Sequence, residues 1–232
     1  MSPEDTVTEG ARPGLVIFDC DGVLVDSERL ATAIEARILT AMGYPHTQAD
    51  VVAEFMGRSA DDALARLVDL LGPEGAREFD EQSTAETRAA FDRELTPVPG
   101  VVAVLDAVQA SRISYCVASS GSHARMGHTL GATGLWERFA GHIHSADDVE
   151  RGKPWPDVFL QAALREGFAP ADCVVIEDSV NGVLAARAAA MDVFGFAGGL
   201  AGAEALHQAG ATPFRDMAEL PALLGLHGPR SA

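Results

Sequence analysis

Apolar residues recur along this chain in two rhythms. Near its start, Leu15 to Phe18 is a short run of strand formers that stops abruptly at Asp19, Cys20, Asp21 and Gly22, the mark of a buried strand. From Ser27, a residue able to cap a helix, Leu30, Ile34, Ile38 and Met42 recur at helical spacing as far as Gly43. A second helix is expected from Ser59 as N-cap, with Asp62 three residues on and Leu64, Leu67, Val68 and Leu71 in the i, i+3, i+4, i+7 pattern up to Gly72. From Glu74 to Leu95 the chain is polar and helix-favouring, and Pro97 and Pro99 end that stretch. Residues 28–97 are therefore expected to be all helical.

Beyond Pro97 strand-like runs alternate with amphipathic stretches. The runs are Ile113 to Ala118, Gly141 to His144, Cys173 to Ile176 and Val193 to Phe196. Alternating β and α units imply a parallel sheet with helices on both faces. The first strand must join that sheet, since alone it would leave its backbone unpaired. The expected fold class is α/β, a doubly wound, Rossmann-like parallel sheet interrupted after its first strand by a helical insertion. The core then comprises residues 14–27 and 98–226, the inserted domain residues 28–97, and residues 1–13 and 227–232 flexible tails.

Composition narrows the partners. With 17 basic against 34 acidic residues the formal charge is −17, and the arginines are scattered, which argues against nucleic acid or an anionic membrane. No apolar stretch approaches the about 18 residues of a membrane span, and the leader MSPEDTVTEGARPG has no apolar stretch of a signal peptide. Cys20, Cys116 and Cys173 lie in or beside apolar runs without metal-ligand spacing and read as reduced packing residues, so a cytoplasmic location is expected. His123, His128, His142 and His144 likewise show no metal pattern. Dispersed charge makes a monomer the default. Sixteen of the 17 basic residues are arginine; the one lysine, Lys153, stands in Gly152-Lys153-Pro154, which excludes a Gly-Lys-Ser/Thr phosphate loop.

In open α/β sheets ligands bind beyond the carboxyl ends of the strands. There the first strand delivers Asp19 and Asp21, the second Ser119 and Ser120, the loop after Ile143 delivers Lys153, and Val174-Val175-Ile176 leads into Glu177 and Asp178. Two carboxylate pairs leaving buried runs need a compensating cation, and hard oxygen ligands in that number suit Mg2+. Ser119-Ser120-Gly121-Ser122 reads as a helix cap or, at that helix N-terminus, as a phosphate site.

These segments resemble the motifs of the haloacid dehalogenase superfamily of phosphohydrolases, in the branch with a helical cap between the first and second motifs, phosphoglycolate phosphatase-like and β-phosphoglucomutase-like. DCDGVLVDSE at 19–28, VASS at 117–120, GKPWPD at 152–157 and IEDSVNG at 176–182 carry the resemblance in order and spacing. It implies hydrolysis of a small phosphate ester, a sugar, polyol or hydroxy-acid phosphate, with Asp19 as nucleophile and Asp21 as general acid and base. Mg2+ would be held by Asp19, the backbone carbonyl of Asp21 and Asp178, with Glu177 acting through water. Ser119, Ser120 and Gly22 would lie along the phosphoryl group, Lys153 would supply fixed positive charge, and Arg58 in Gly57-Arg58-Ser59 would meet the leaving group.

Departures from the family's patterns discriminate among its reactions. Asp21 disfavours dehalogenation, which has no leaving alcohol to protonate. A cap without lysine excludes Schiff-base chemistry there. Ala31 and Ala60 stand where β-phosphoglucomutases carry a histidine and an arginine, which favours hydrolysis over mutase activity, although Arg58 could partly substitute. A catalytically idle phosphometabolite-binding module is the competing reading of another class; it would tolerate loss of the nucleophile. An arginine preference explains why lysines are few, but not why the remaining one stands where a compact charge must reach Asp19. As the sole lysine it is also the expected target of a lysine-directed reagent.

Overall fold

A computed structural model describes residues 12–55 and 60–226, apart from the side chains of residues 60 and 61. Strand β1 (Leu15–Phe18) is followed by helices α1 (Ser27–Ala41), α2 (Gln48–Phe55) and α3 (Ala60–Glu94). The alternating part then runs α4 (Val101–Ala110), β2 (Ser114–Ser119), α5 (His123–Ala132), α6 (Trp136–Phe139), β3 (Ile143–Ser145), α7 (Asp157–Glu166), β4 (Cys173–Glu177), α8 (Val180–Ala188), β5 (Asp192–Phe196), α9 (Ala203–Ala209), β6 (Thr212–Phe214) and α10 (Leu220–Leu223). All six strands are parallel, in the order β3-β2-β1-β4-β5-β6.

The period-two alternation of strand side chains divides the core into two layers. Val16 and Phe18 pack with Val117, Val174 and Ile176 against α4, α5, α6 and α10, while Leu15 and Ile17 pack with Cys116, Ala118 and Val175 against α7, α8 and α9. Buried on both faces, these strands read as continuous apolar runs. Helices α1 to α3 form a third cluster of their own, in which Ile38, Leu39, Val51 and Phe79 are buried together.

The two connections of the insertion to the sheet are paired. After β1 the chain folds back on itself, with Gly22 N–H bonded to the Val25 carbonyl at 2.8 Å and Leu24 N–H to Cys20 at 2.9 Å. The two connections then run side by side: Asp26 N–H donates to the Thr96 carbonyl at 3.0 Å, and Val98 N–H to the Leu24 carbonyl at 3.0 Å.

Several expectations are corrected. Ser27 is the first helical residue rather than the cap, Asp26 taking that position, and its hydroxyl bonds to Asp21 instead. The Ser59 cap lies outside the described residues. The helix break at Gly72 is present, with φ 72° and ψ 168°, but Leu64 is 53% exposed and Leu70 joins Leu67 and Leu71 on the packed face. The turn at 43–47 begins a separate short helix, α2, because Thr47 caps it through Asp50. The third strand starts two residues late, at Ile143, because Gly141 adopts φ 87° in the preceding turn. Strand β6 was not anticipated: three residues containing Pro213 carry no periodicity, and an edge strand tolerates proline.

Phe139 is fully buried and meets both Phe18 and Tyr115 edge-on, with centroids 6.5 and 5.4 Å apart. Phe139→Ala is expected to lower unfolding stability by about 3–5 kcal/mol, read from urea denaturation; a loss below about 1 kcal/mol would contradict the packing described.

Candidate active site

Register brings the chemistry to one edge. Phe18 lies level with Val117 of β2 and Ile176 of β4, so Asp19, just past β1, and Ser119 and Glu177, the last residues of β2 and β4, emerge together at the carboxyl end of the sheet. Strand β1 is central, and the chain builds outward to β3 on one side before returning to β4 on the other; ligands collect where such an order reverses.

Lys153 reaches this edge from the loop before α7. Its ammonium donates to Asp19 Oδ1 at 2.5 Å, to Glu177 Oε1 at 2.6 Å and to the Ala118 carbonyl at 3.2 Å, which uses all three of its protons. The Phe159 ring lies 4.8 Å from Nζ. The loop is stiffened by a two-pronged Arg151–Asp157 ion pair and by Arg151 stacking on Trp155 at 4.6 Å. The side chain is only 4% exposed. A lysine-directed reagent should therefore meet a buried, hydrogen-bonded ammonium that reacts slowly in the folded protein.

Glu177 is fixed from its other side as well. Its Oε2 accepts from Ser179 N–H at 2.7 Å and from the Ser179 hydroxyl at 2.9 Å, at the start of α8. A Cβ at Gly182 would stand 1.8 Å from Glu177 Oε1, so only glycine lets the helix come this close. Both oxygens of Glu177 are thus taken up, one by Lys153 and the other by Ser179. Asp178 points the other way, into the turn after β1: Gly22 has φ +80°, and a Cβ there would lie 1.9 Å from Asp178 Oδ2.

Asp21 is held by two residues. Arg125 of α5 grips it with both prongs, Nε to Oδ2 at 3.1 Å and Nη2 to Oδ1 at 3.0 Å, and the Ser27 hydroxyl donates to Oδ1 at 2.5 Å. Ser119, 2% exposed, accepts from Gly121 N–H at 3.0 Å, and the Ser145 hydroxyl donates to the Gly121 carbonyl at 2.7 Å, so the turn after β2 is pinned on both sides. Ser122, not Ser119, caps α5. Asp19, Asp21, Ser119, Ser120, Lys153, Glu177 and Asp178 all line one cavity of about 320 Å3. Gly22 borders a neighbouring cavity that shares Glu28 with it. Arg58 lies outside the described residues.

Sequence reasoning missed Arg125, Glu28 and Glu35, which line the same cavity. Glu28 and Glu35 are two turns apart on one face of α1, and that spacing was the available signal. Nothing in the local pattern singles out Arg125. The histidines meet carboxylates instead of a ligand: His123 pairs with Asp148, His128 with Asp92, and His142 and His144 with Glu166. Cys116 comes within 4.8 Å of the His144 and Glu166 donor atoms, a grouping that residues so far apart in sequence could not disclose.

Crowded carboxyls in a buried place resist ionisation. Burial lifts Asp19 to about 8, against Lys153, which lowers it, while Glu177 and Asp21 add to the rise. Burial, with Glu28, Glu177 and Asp19 beside it, raises Asp178 well above the ordinary range. Glu28 is lifted to about 7 by burial, although its hydrogen bond to Asp178 acts the other way. Lys153 is pushed upward, its two carboxylate partners outweighing burial. Four carboxyls at Asp19, Asp21, Glu28 and Asp178 against Lys153 and Arg125 form an oxygen-rich set short of positive charge, which fits a hard divalent cation.

A model of the haloacid dehalogenase-like hydrolases matches residues 13–190. The chain belongs to that family. It is 29% identical over 218 residues to 6-phosphogluconate phosphatase of Escherichia coli, covering 92% of this chain and 95% of the relative. It is 32% identical over 198 residues to a phosphorylated carbohydrates phosphatase of Thermotoga maritima, covering 84% and 91%. The crystal structure of a HAD family hydrolase of Deinococcus radiodurans with bound phosphate and sodium superposes with a TM-score of 0.81 at 32% identity, over 95% of this chain and 100% of that one.

The carboxyl shifts set a sign for stability. Unfolded, these groups release protons near their ordinary values of 3.8 and 4.5; folded and metal-free, Asp19 holds its proton to about 8 and Glu28 to about 7. Between those limits the unfolded chain binds fewer protons, so stability falls as pH rises. In EDTA the Tm is expected to drop from pH 5 to pH 8, and Mg2+ to raise it more at pH 8 than at pH 5. Scanning calorimetry at both values checks this, and a Tm that rises over that range in EDTA contradicts it.

Proposed function

We propose that the protein is a Mg2+-dependent phosphatase that hydrolyses a small phosphate monoester through an aspartyl-phosphate on Asp19. One observation carries the reading. Asp19, 7% exposed, lies on the wall of an open cavity 2.5 Å from the chain's one lysine, an arrangement that serves an anionic nucleophile meeting an anionic group. The phosphatase names of two relatives support the substrate class.

Asp19 attacks phosphorus and the bond to the ester oxygen breaks, which splits one hard displacement into two easier ones. Asp21 gives its proton to the departing alkoxide and later takes one from the water that hydrolyses the aspartyl-phosphate; Arg125 and Ser27 fix the orientation of its carboxyl. Lys153 stabilises charge on the transferring group, and Ser119, Ser120 and the nearby backbone amides hold its oxygens. Asp19, the Asp21 carbonyl and Asp178 would hold Mg2+. When bound, that ion offsets the repulsion between carboxylate and phosphate.

Residues 28–97 act as a cap over this site, pivoting on the paired connections at Asp26 and Thr96, with Arg58 meeting the leaving group and closure excluding bulk water. Ala31 presents only a methyl to the cavity, which supports hydrolysis over a mutase reaction. Among the described residues no helix is long and apolar enough to cross a membrane, and the protein acts in the cytoplasm as a monomer.

Phosphate release from p-nitrophenyl phosphate should require Mg2+, cease in excess EDTA, and fall by at least about 10³-fold in Asp19→Asn, while Asp21→Asn should lose about 10²- to 10⁴-fold. Full activity in Asp19→Asn or in EDTA overturns the mechanism. No turnover by the wild-type protein with Mg2+ favours the binding-module reading.

A further inference from the structure

Away from the strand-end cavity, two imidazoles share one carboxylate. His142 Nδ1 and His144 Nε2 stand 2.9 Å from the two oxygens of Glu166, one on each. Residues two apart on a strand face the same way. Register sets His144 level with Ala118, so both rings lie on the side of the sheet where Cys116 packs beneath α7. The Cys116 sulfur, a His144 nitrogen and a Glu166 oxygen come within 4.8 Å of one another. Helix α7 runs back from the carboxyl edge toward the start of β4, so Glu166, its last residue, and His142, just ahead of β3, meet toward the opposite edge. None of the four lines the cavity of Asp19.

Two groups in this cluster are incompletely satisfied. His144 is 3% exposed and its Nδ1 is buried without a hydrogen-bond partner, so no second bond fixes which ring nitrogen carries the proton. Cys116 is fully buried and, among the described residues, forms no hydrogen bond, whereas Cys20 meets the Thr129 hydroxyl and Cys173 the Ala169 carbonyl. Burial, and Glu166 after it, push the Cys116 thiol up, so it gives its proton up only to a strongly polarising partner. The frame around these groups is fixed. His142 N–H donates to the Phe139 carbonyl at 2.8 Å, and its own carbonyl accepts from Val117 N–H at 3.0 Å. Its exposed ring offers the way in from solvent.

A thiolate, two imidazoles and a carboxylate are the donors that Zn2+ selects. The two anionic donors cancel the charge of the ion while the imidazoles stay neutral, which is the condition for burying it. A tetrahedral ion with bonds of about 2.0–2.3 Å holds its donors about 3.3–3.7 Å apart. The nitrogen–oxygen separations of 2.9 Å are already near that spacing, and the sulfur has no more than about 1 Å to close. Mg2+ does not take thiolate, so the two metals would not compete for one set.

We propose that Cys116, His142, His144 and Glu166 form a Zn2+ site that ties β2 and the edge strand β3 to the end of α7. The S–H proton leaves to water as the zinc–sulfur bond forms, and each imidazole carries its proton on the nitrogen facing away from the ion. The site is independent of the phosphatase reading.

Co2+ tests it, because a thiolate ligand gives this ion a charge-transfer band in the near ultraviolet and a tetrahedral set gives it strong visible bands. With the full reduced chain in excess Mg2+, one equivalent of Co2+ is expected to develop both, and Zn2+ to bleach them. Cys116→Ser and His144→Ala should abolish the sulfur band, and His142→Ala and Glu166→Gln should weaken Zn2+ binding by at least about 10-fold, all with a far-ultraviolet circular dichroism like that of the wild type. Asp178→Asn should keep the band, which separates this site from the strand-end carboxylates. No sulfur band in the wild type overturns the proposal whatever the variants do. A band that survives in Cys116→Ser or His144→Ala, or is lost in Asp178→Asn, places the ion elsewhere and overturns it as well.

Discussion

The contact on which the rest of this structure depends is a single ammonium shared by two buried carboxylates. Lys153 bridges Asp19 and Glu177 at 2.5 and 2.6 Å in a place where all three side chains are at most 9% exposed. Removing one member of such a group leaves charge stranded in a poor solvent, whereas the intact triad is held by its geometry. That geometry is supplied from several directions: by the register of β1 against β4, by Ser179 and Gly182 at the start of α8, and by the loop that Arg151 ties to Asp157 and Trp155. Each support is unremarkable alone. Their convergence turns a lysine that could have been a surface residue into a fixed charge beside Asp19.

Electrostatic shortage follows from the same packing. Around the triad stand Asp21, Glu28 and Asp178, and among the described residues lining the cavity only Arg125 adds positive charge. The protein resolves part of the imbalance by protonation, which is why burial holds Asp19, Glu28 and Asp178 above the usual carboxylate range. A divalent cation resolves it another way, replacing protons with charge. The same deficit thus accounts for a pH-dependent fold and for a metal-dependent reaction, in the proposed reading, without separate causes.

The helical insertion has an apolar cluster of its own and two adjacent connections to the sheet, and the end of α3 packs Phe91 and Leu95 into the main core. It also contributes Glu28, Ala31 and Glu35 to the cavity at the strand ends through one face of α1. An insertion attached in this way can vary the walls of that cavity while the strand ends below it keep their positions.

Much of this was legible in the sequence, for identifiable reasons. Buried parallel strands announce themselves as unbroken apolar runs, so β1, β2, β4 and β5 were located to within about one residue, and what followed each run named Asp19, Ser119, Glu177 and Asp178. Their family resemblance added roles, because those motifs are local and contiguous. Strand β6 escaped, since three residues with a proline at a sheet edge have no period to read. Arg125, 104 positions from Asp21, escaped because nothing near it in sequence reports which carboxylate it will meet. The chain by itself determined the buried core strands, the order of the strand-end residues and the family. Only the tertiary structure decided which charges meet, that Lys153 is locked between two carboxylates and that Glu35 and Arg125 line one cavity with the strand ends, because those facts depend on how α1, α5 and the strand ends come together in space.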